Sequence, residues 1–236
     1  MKLTIIQSGD VPEPLRPQFG AYAPMFGRMF ADAGIAYDYE VVRVSEGEPF
    51  PDPVGLEAIL LPGSAAGVYD NHLGWMAPLR QFIRNAYASR TPMVGICFGH
   101  QIMADALGGD VRKSEKGWGL GRHQYGVRAP SAFAGRPVAQ LAVACSHQDQ
   151  VIGAPPDADV ILASDFTPNA GLAYRNGAAL SFQPHPEFDD PYTLALAEMR
   201  RGKTSDDVVD TALASLALQS DSSALATTIA AFYANR

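Results

Sequence analysis

The sequence predicts an α/β fold in three layers, with helices on both faces of a mostly parallel sheet and further helices at the C-terminal end. Three observations carry that expectation. Short apolar runs alternate with segments of helical spacing along most of the chain. Several of these runs, such as Met93-Val94-Gly95-Ile96, are apolar at consecutive positions, which suits strands buried on both faces. One run also leads straight into a helix through a cysteine bracketed by glycines. With 236 residues and 47% hydrophobic composition, the chain suffices for one full core and a small appendage.

In chain order, residues 3–7 read as the first strand, ending in Ser8-Gly9-Asp10. A loop carrying Pro12, Pro14 and Pro17 precedes a helix over 22–33, which Gly34 closes. Residues 37–44 read as the next strand, 47–53 as turn material, and 56–61 as a third strand with a near-continuous apolar run. That strand ends in Pro62-Gly63-Ser64-Ala65-Ala66-Gly67, and open α/β sheets bind ligands at the carboxyl ends of their strands. Small side chains in the loop let backbone amides approach a substrate. Tyr69, Asp70 and Trp75 follow, placed to line the mouth of such a site, where they would bear on an acceptor or leaving group. The plainer alternative is a surface turn followed by a core tryptophan. Residues 75–88 have helical spacing.

Chemistry concentrates in Pro92-Met93-Val94-Gly95-Ile96-Cys97-Phe98-Gly99-His100-Gln101. The pattern predicts a buried strand turning sharply into a helix over 101–107, with the Cys97 side chain exposed over the sheet edge. Gly95 and Gly99 suit a crowded backbone that a Cβ would disturb. At the N-terminal end of a helix, the cysteine meets unpaired amides and the positive end of the dipole, a setting that prepares a nucleophile. The alternative is a small buried hydrophobe at a strand end. A partner decides between them. Ala179-Leu180-Ser181-Phe182 is a further strand, and its tip delivers Gln183-Pro184-His185-Pro186-Glu187. His185 is suited to deprotonate Cys97, and Glu187 to orient the imidazole, as covalent catalysis requires. Pro184 and Pro186 restrict the backbone on either side of the histidine.

Gly95-Ile96-Cys97-Phe98-Gly99-His100-Gln101 and Gln183-Pro184-His185-Pro186-Glu187 resemble the two signatures of class I glutamine amidotransferases, in particular the glutaminase domain of GMP synthase and its stand-alone relatives. The resemblance spans residues 1–190 and implies a flavodoxin-like core and a Cys97, His185, Glu187 triad. It further implies antiparallel additions to the sheet, which residues 122–128 and 137–144 would supply, while 159–164 and 171–175 complete the strands. An oxyanion hole would form from the backbone amides of Gly63 or Ser64 and of Phe98. Gln101 would help to hold the substrate amide. Ser146 and His147, within Cys145-Ser146-His147-Gln148-Asp149, would contact the amino-acid end of a bound glutamine. His147 is also the rival for general base, with Asp149 the less apt orienter.

Residues 192–200, 206–218 and 222–233 read as three helices, with Asp206, Asp207 and Asp221 as acidic starts. Their apolar residues, including Val209, Leu213, Leu225 and Ile229, recur at three-to-four spacing. The expected division is a catalytic unit over 1–190 and a helical extension over 191–236 packed on it. A bare glutaminase core does not require this extension. It would cap the unit, cover a face that a synthase domain would otherwise occupy, or make a homo-oligomer.

Composition narrows the partners. A net charge of −7 with no basic tract argues against nucleic acid. Two cysteines, 97 and 145, suggest a reducing compartment. The opening run reads directly as a strand and no apolar run reaches membrane length, so the expectation is a soluble, cytoplasmic protein without a membrane partner. Gly117-Trp118-Gly119-Leu120-Gly121 lacks Walker spacing, so no nucleotide is expected there. Cys145 and His147 are two apart with no second cluster of soft ligands, so no metal and no cofactor is expected. The expected reaction is attack of Cys97 on the γ-carboxamide of glutamine or a γ-glutamyl compound. It releases ammonia and leaves a thioester that water hydrolyses. Three readings stay open: a glutaminase subunit feeding a separate ammonia-accepting synthase, a free-standing γ-glutamyl peptide or amide hydrolase, and a non-catalytic binding protein of the same fold.

Overall fold

A strand that is apolar at every position has no face to give to water, so helices must cover both of its sides. The computed structural model, which describes residues 1–133 and 138–235, is built on that requirement. In chain order come β1 (Lys2–Gln7), α1 (Arg16–Phe19), α2 (Tyr22–Asp32), β2 (Asp38–Arg43), β3 (Ala58–Leu61), α3 (Met76–Ala88), β4 (Met93–Ile96) and α4 (Phe98–Ala106). β5 (Asp110–Lys113), β6 (Gly119–Val127), β7 (Gln140–His147), β8 (Asp149–Gly153), β9 (Ala158–Ala163), β10 (Gly171–Tyr174) and β11 (Ala179–Phe182) follow. Three helices end the chain, α5 (Asp190–Glu198), α6 (Asp206–Ser215) and α7 (Ser222–Ala234).

The large sheet has the order β2-β1-β3-β4-β11-β10-β9-β6-β7. Its first five strands pair in parallel, and the rest are added antiparallel. Successive side chains of a strand point to opposite faces. Accordingly Ile5, Leu60 and Val94 join a cluster with Phe26 and Phe30 of α2 and Leu225 and Ile229 of α7. Ile6, Ile59, Leu61 and Met93 join another with Phe82 of α3 and Ile102 of α4. The three-layer α/β/α architecture is therefore as expected, with a mostly parallel sheet and antiparallel additions.

Several elements differ from the sequence reading. The helix after Cys97 starts at once with Phe98, not at 101. The strand expected over 137–144 lies over Gln140–His147, and Pro137 falls outside the described residues. β5 and β8 form a separate two-stranded antiparallel sheet that was not expected. Asp110-Val111-Arg112-Lys113 is largely exposed and carries no alternating apolar signal, so only its partner makes it a strand.

The C-terminal helices are tied to the sheet at named points. Tyr233 donates its hydroxyl to the Ile59 carbonyl at 2.7 Å. The Asp221 carboxylate accepts from the Ala142 amide at 2.8 Å, and the Asp221 amide donates back to the Ala142 carbonyl. Asp221 thus joins α7 to β7 and does not cap the helix with its side chain. Asp206 and Asp207 do lie in the first turn of α6. The buried Arg122 of β6 donates to the Asp190 carboxylate and to the Leu216 and Leu218 carbonyls.

Ile229 is wholly buried between α7 and the sheet. Ile229→Ala should therefore lower the unfolding free energy by about 2–5 kcal/mol, read from equilibrium urea denaturation. A change below about 1 kcal/mol would mean that α7 is docked only loosely.

Candidate active site

β4 ends at Ile96 and α4 begins at Phe98, so the whole reversal falls on Cys97. Cys97 has φ 54° and ψ −103°, a positive φ that costs a non-glycine residue roughly 1–3 kcal/mol. Its amide donates to the Phe182 carbonyl at 2.8 Å, and its own carbonyl accepts from Gln101 at 3.0 Å. The flanking glycines are set by crowding, since neither has a positive φ. A Cβ on Gly95 would stand 2.5 Å from the Gly99 carbonyl oxygen, and one on Gly99 would collide with the Leu61 carbonyl. The amide of Phe98 opens the helix and has no partner within it.

β11 runs parallel beside β4 in a register that pairs Phe182 with Ile96. The next residues of both strands therefore emerge at the same edge. His185 Nδ1 hydrogen-bonds Glu187 Oε1 at 2.7 Å, and both side chains are buried. Phe188 stacks on the imidazole with ring centroids 3.8 Å apart and planes 8° from parallel. Burial alone would pull the His185 imidazolium down. The Glu187 carboxylate, followed by Cys97, outweighs it and raises the group to about 10. Gly63 closes the third side: a Cβ there would lie 3.1 Å from His185 Cε1, 4.0 Å from His185 Nε2 and 3.8 Å from Cys97 Cβ.

Cys97 opens onto a cavity of about 420 Å³, which Ser64, Tyr69, Gln101, Ser146 and His147 also line. The loop above it is held by its own polar groups. Ser64 Oγ donates to the Ser8 carbonyl at 3.0 Å, and the Gly67 amide donates to Asp70 Oδ2 at 2.8 Å. Gln101 Nε2 donates to the Asp149 carbonyl at 2.8 Å and to Gln183 Oε1 at 3.1 Å. His147 Nδ1 bonds the same Asp149 carbonyl at 3.1 Å, and burial pushes its imidazolium down to about 3, so this ring is neutral at ordinary pH. Asp149 thus meets His147 through its backbone, not its carboxylate. Tyr69 is partly exposed at the rim, where burial and then Asp149 push the phenol up to about 12.

Trp75 is not on this cavity. It stands edge-on to Phe98, with centroids 5.9 Å apart, among the apolar residues under α3 and α4, so the core-tryptophan alternative describes it. Sequence reasoning missed Lys113, Trp118 and Arg200, which also line the cavity. Lys113 comes there because β5 pairs with β8, placing it opposite Asp149. No local pattern announces that pairing. Among the described residues, no group of three or more His, Cys, Asp or Glu side chains is disposed to hold a metal, and no helix is long and apolar enough to cross a membrane.

An α/β sheet with a strained cysteine between strand and helix, beside a buried histidine–carboxylate pair, defines a class of nucleophile-elbow proteins. Residues 26–191 match the family described as glutamine amidotransferase class-I, and the chain belongs to it. It is 32% identical over 162 residues to "Putative glutamine amidotransferase YLR126C" of Saccharomyces cerevisiae, covering 64% of this chain and 62% of that protein. It is 27% identical over 183 residues to γ-glutamyl peptidase 5 of Arabidopsis thaliana, covering 74% and 71%. To the glutamine-hydrolysing GMP synthase of Thermus thermophilus it is 31% identical over 136 residues, which is 56% of this chain but 24% of the synthase. The crystal structure of a glutamine amidotransferase from Methylobacillus flagellatus shares the fold, with a TM-score of 0.74 at 20% identity over 100% of this chain and 94% of that one.

Because the His185 imidazolium is raised from 6.5 to about 10 in the folded protein, its contribution to stability is fully present below about pH 6.5 and is lost as the pH climbs through about 10. Glu187→Gln removes the carboxylate chiefly responsible. The stability gap between wild type and Glu187→Gln should be widest at pH 6 and close toward pH 10 in urea melts. A gap that widens with pH would contradict this arrangement.

Proposed function

We propose that the chain hydrolyses the γ-carboxamide of glutamine or of a γ-glutamyl compound through a Cys97 thioester. The observation that carries the proposal is the buried His185–Glu187 pair emerging at the strand edge where Cys97 is held at positive φ. Cys97 attacks the amide carbon and the C–N bond breaks as His185 passes its proton to the departing amine. Water, deprotonated by His185, then cleaves the thioester to the carboxylate and regenerates the thiol. Glu187 orients His185 and stabilises its charged form. The Phe98 amide, with that of Gly63 or Ser64, receives the oxyanion in both steps. Gln101, Ser146, His147 and Tyr69 bind the substrate from the cavity wall. The domain reading goes with this: 1–190 as the catalytic unit, and 191–236 as an extension whose α7 contributes Leu225 and Ile229 to the same core.

Two settings for this chemistry are distinguished by substrate. The GMP synthase relationship favours glutamine as substrate and a separate synthase as ammonia acceptor. The size of the cavity favours free-standing hydrolysis of larger γ-glutamyl compounds. Pockets of roughly 300–1,000 Å³ accommodate drug-sized ligands, and a single amino acid fills only part of such a space. The relatives named γ-glutamyl peptidases 2, 4 and 5 point the same way.

The test is release of glutamate from glutamine and from γ-glutamyl dipeptides by the purified chain. Cys97→Ala should abolish turnover of every substrate. Glu187→Gln should reduce kcat by about 10²- to 10⁴-fold while leaving KM comparatively unaffected. Turnover that survives Cys97→Ala would rule out the thioester.

A further inference from the structure

Two cations open onto the cavity beside Cys97, Lys113 and Arg200. They sit in different company. Lys113 stands across the β5–β8 pair from Asp149, whose carboxylate meets Tyr69. Arg200, just beyond α5, lies with its Cζ 4.0 Å from the ring centroid of Trp118. Its Nε is enclosed and has no hydrogen-bond partner among the described residues. Glu198 and Asp210 are committed to the neighbouring Arg201, and no carboxylate among the described residues pairs with Arg200. Burial already weighs against its charge.

A cation at the end of a helix, with its guanidinium over an aromatic ring, is a common structural arrangement. It does not account for a guanidinium at the wall of a cavity with no carboxylate paired to it among the described residues. A guanidinium lying over an aromatic face keeps its donors directed outward in its own plane, where a carboxylate is the acceptor of matching shape. Trp118 is also shared with a second cavity of about 270 Å³, lined by Leu120, Phe166 and Val208. Glutamine carries one carboxylate and one ammonium, whereas a γ-glutamyl amino acid carries a second carboxylate on its amine half.

We propose that Arg200, stacked on Trp118, is a specificity-determining residue that receives the carboxylate of the amine half of a γ-glutamyl amino acid or peptide. The inference rests on the γ-carboxamide hydrolase reading, and it selects dipeptide-like substrates over glutamine within it.

Calorimetric binding to the full-length Cys97→Ser protein separates the two claims. The ligands are γ-glutamylglycine and γ-glutamylmethylamide, which differ by the one carboxylate. The dipeptide should bind about 10- to 100-fold more tightly, as a charge-assisted hydrogen bond implies. Adding Arg200→Met, which removes the charge and keeps an unbranched side chain, should bring the two ligands to equal affinity, and Arg200→Lys should restore part of the preference. Equal affinities with Arg200 in place would overturn the proposal. So would a preference that survives Arg200→Met, or a loss shared equally by both ligands. Absence of turnover of either compound by the wild type, with the binding preference intact, would sink the hydrolase reading alone.

Discussion

The parallel pairing of β4 with β11 is the constraint on which the rest of the site depends. These strands are far apart in sequence, yet their register sets Phe182 against Ile96 and ends both at one edge. From that edge, one chain continues into Cys97 and α4 and the other into Gln183-Pro184-His185. The Cys97 amide bonds the Phe182 carbonyl and the His185 amide bonds the Ala144 carbonyl, both at 2.8 Å, so the two departures are fixed to the sheet itself. A one-residue slip would reverse every side chain of β11 between the two apolar clusters, which makes the register expensive to change.

That fixed frame is what lets Cys97 hold an unfavourable backbone. Strain of a few kcal/mol at one residue persists only where the surroundings over-determine it. Here the strand before Cys97 is buried, and α4 behind it is buried almost throughout. Contact between Gly95 and Gly99, and between Gly99 and Leu61, is possible only without side chains. The glycines therefore act at the level of packing: they let helix, elbow and neighbouring strand approach closely around the cysteine. An alanine at either position would force the backbone apart beside Cys97.

How much of this was legible in the sequence depends on the range of the interaction. The alternation of strands and helices, the elbow at Cys97 and the His185–Glu187 tip are local patterns, and all were readable from spacing and residue type. Strand order was not, because nothing near residues 179–182 says that they enter the sheet beside β4 and not at its edge. Lys113 and Arg200 escaped for the same reason. One reaches the cavity through pairing with β8 and the other through packing on Trp118, and neither contact leaves a periodic trace. Trp75 shows the converse: a large aromatic residue near a candidate loop was taken up by the core because Phe98 offered it an apolar neighbour.

The two histidines at the site bear on the choice of general base more firmly than motif matching does. Both are buried, and burial by itself disfavours the charged form of each. His147 is given only a backbone carbonyl at Nδ1, and burial, with the nearby His123 adding to it, holds it neutral. His185 is given a carboxylate, which together with Cys97 outweighs burial and keeps a proton on the ring. Environments that push two like groups in opposite directions are how one site obtains distinct acid–base roles. A ring that stays neutral offers a hydrogen bond without competing for a proton, which suits the binding role proposed for His147. A ring that carries a proton beside the cysteine is equipped to hand it to a departing amine, and this supports the acid–base role proposed for His185, with Glu187 behind it.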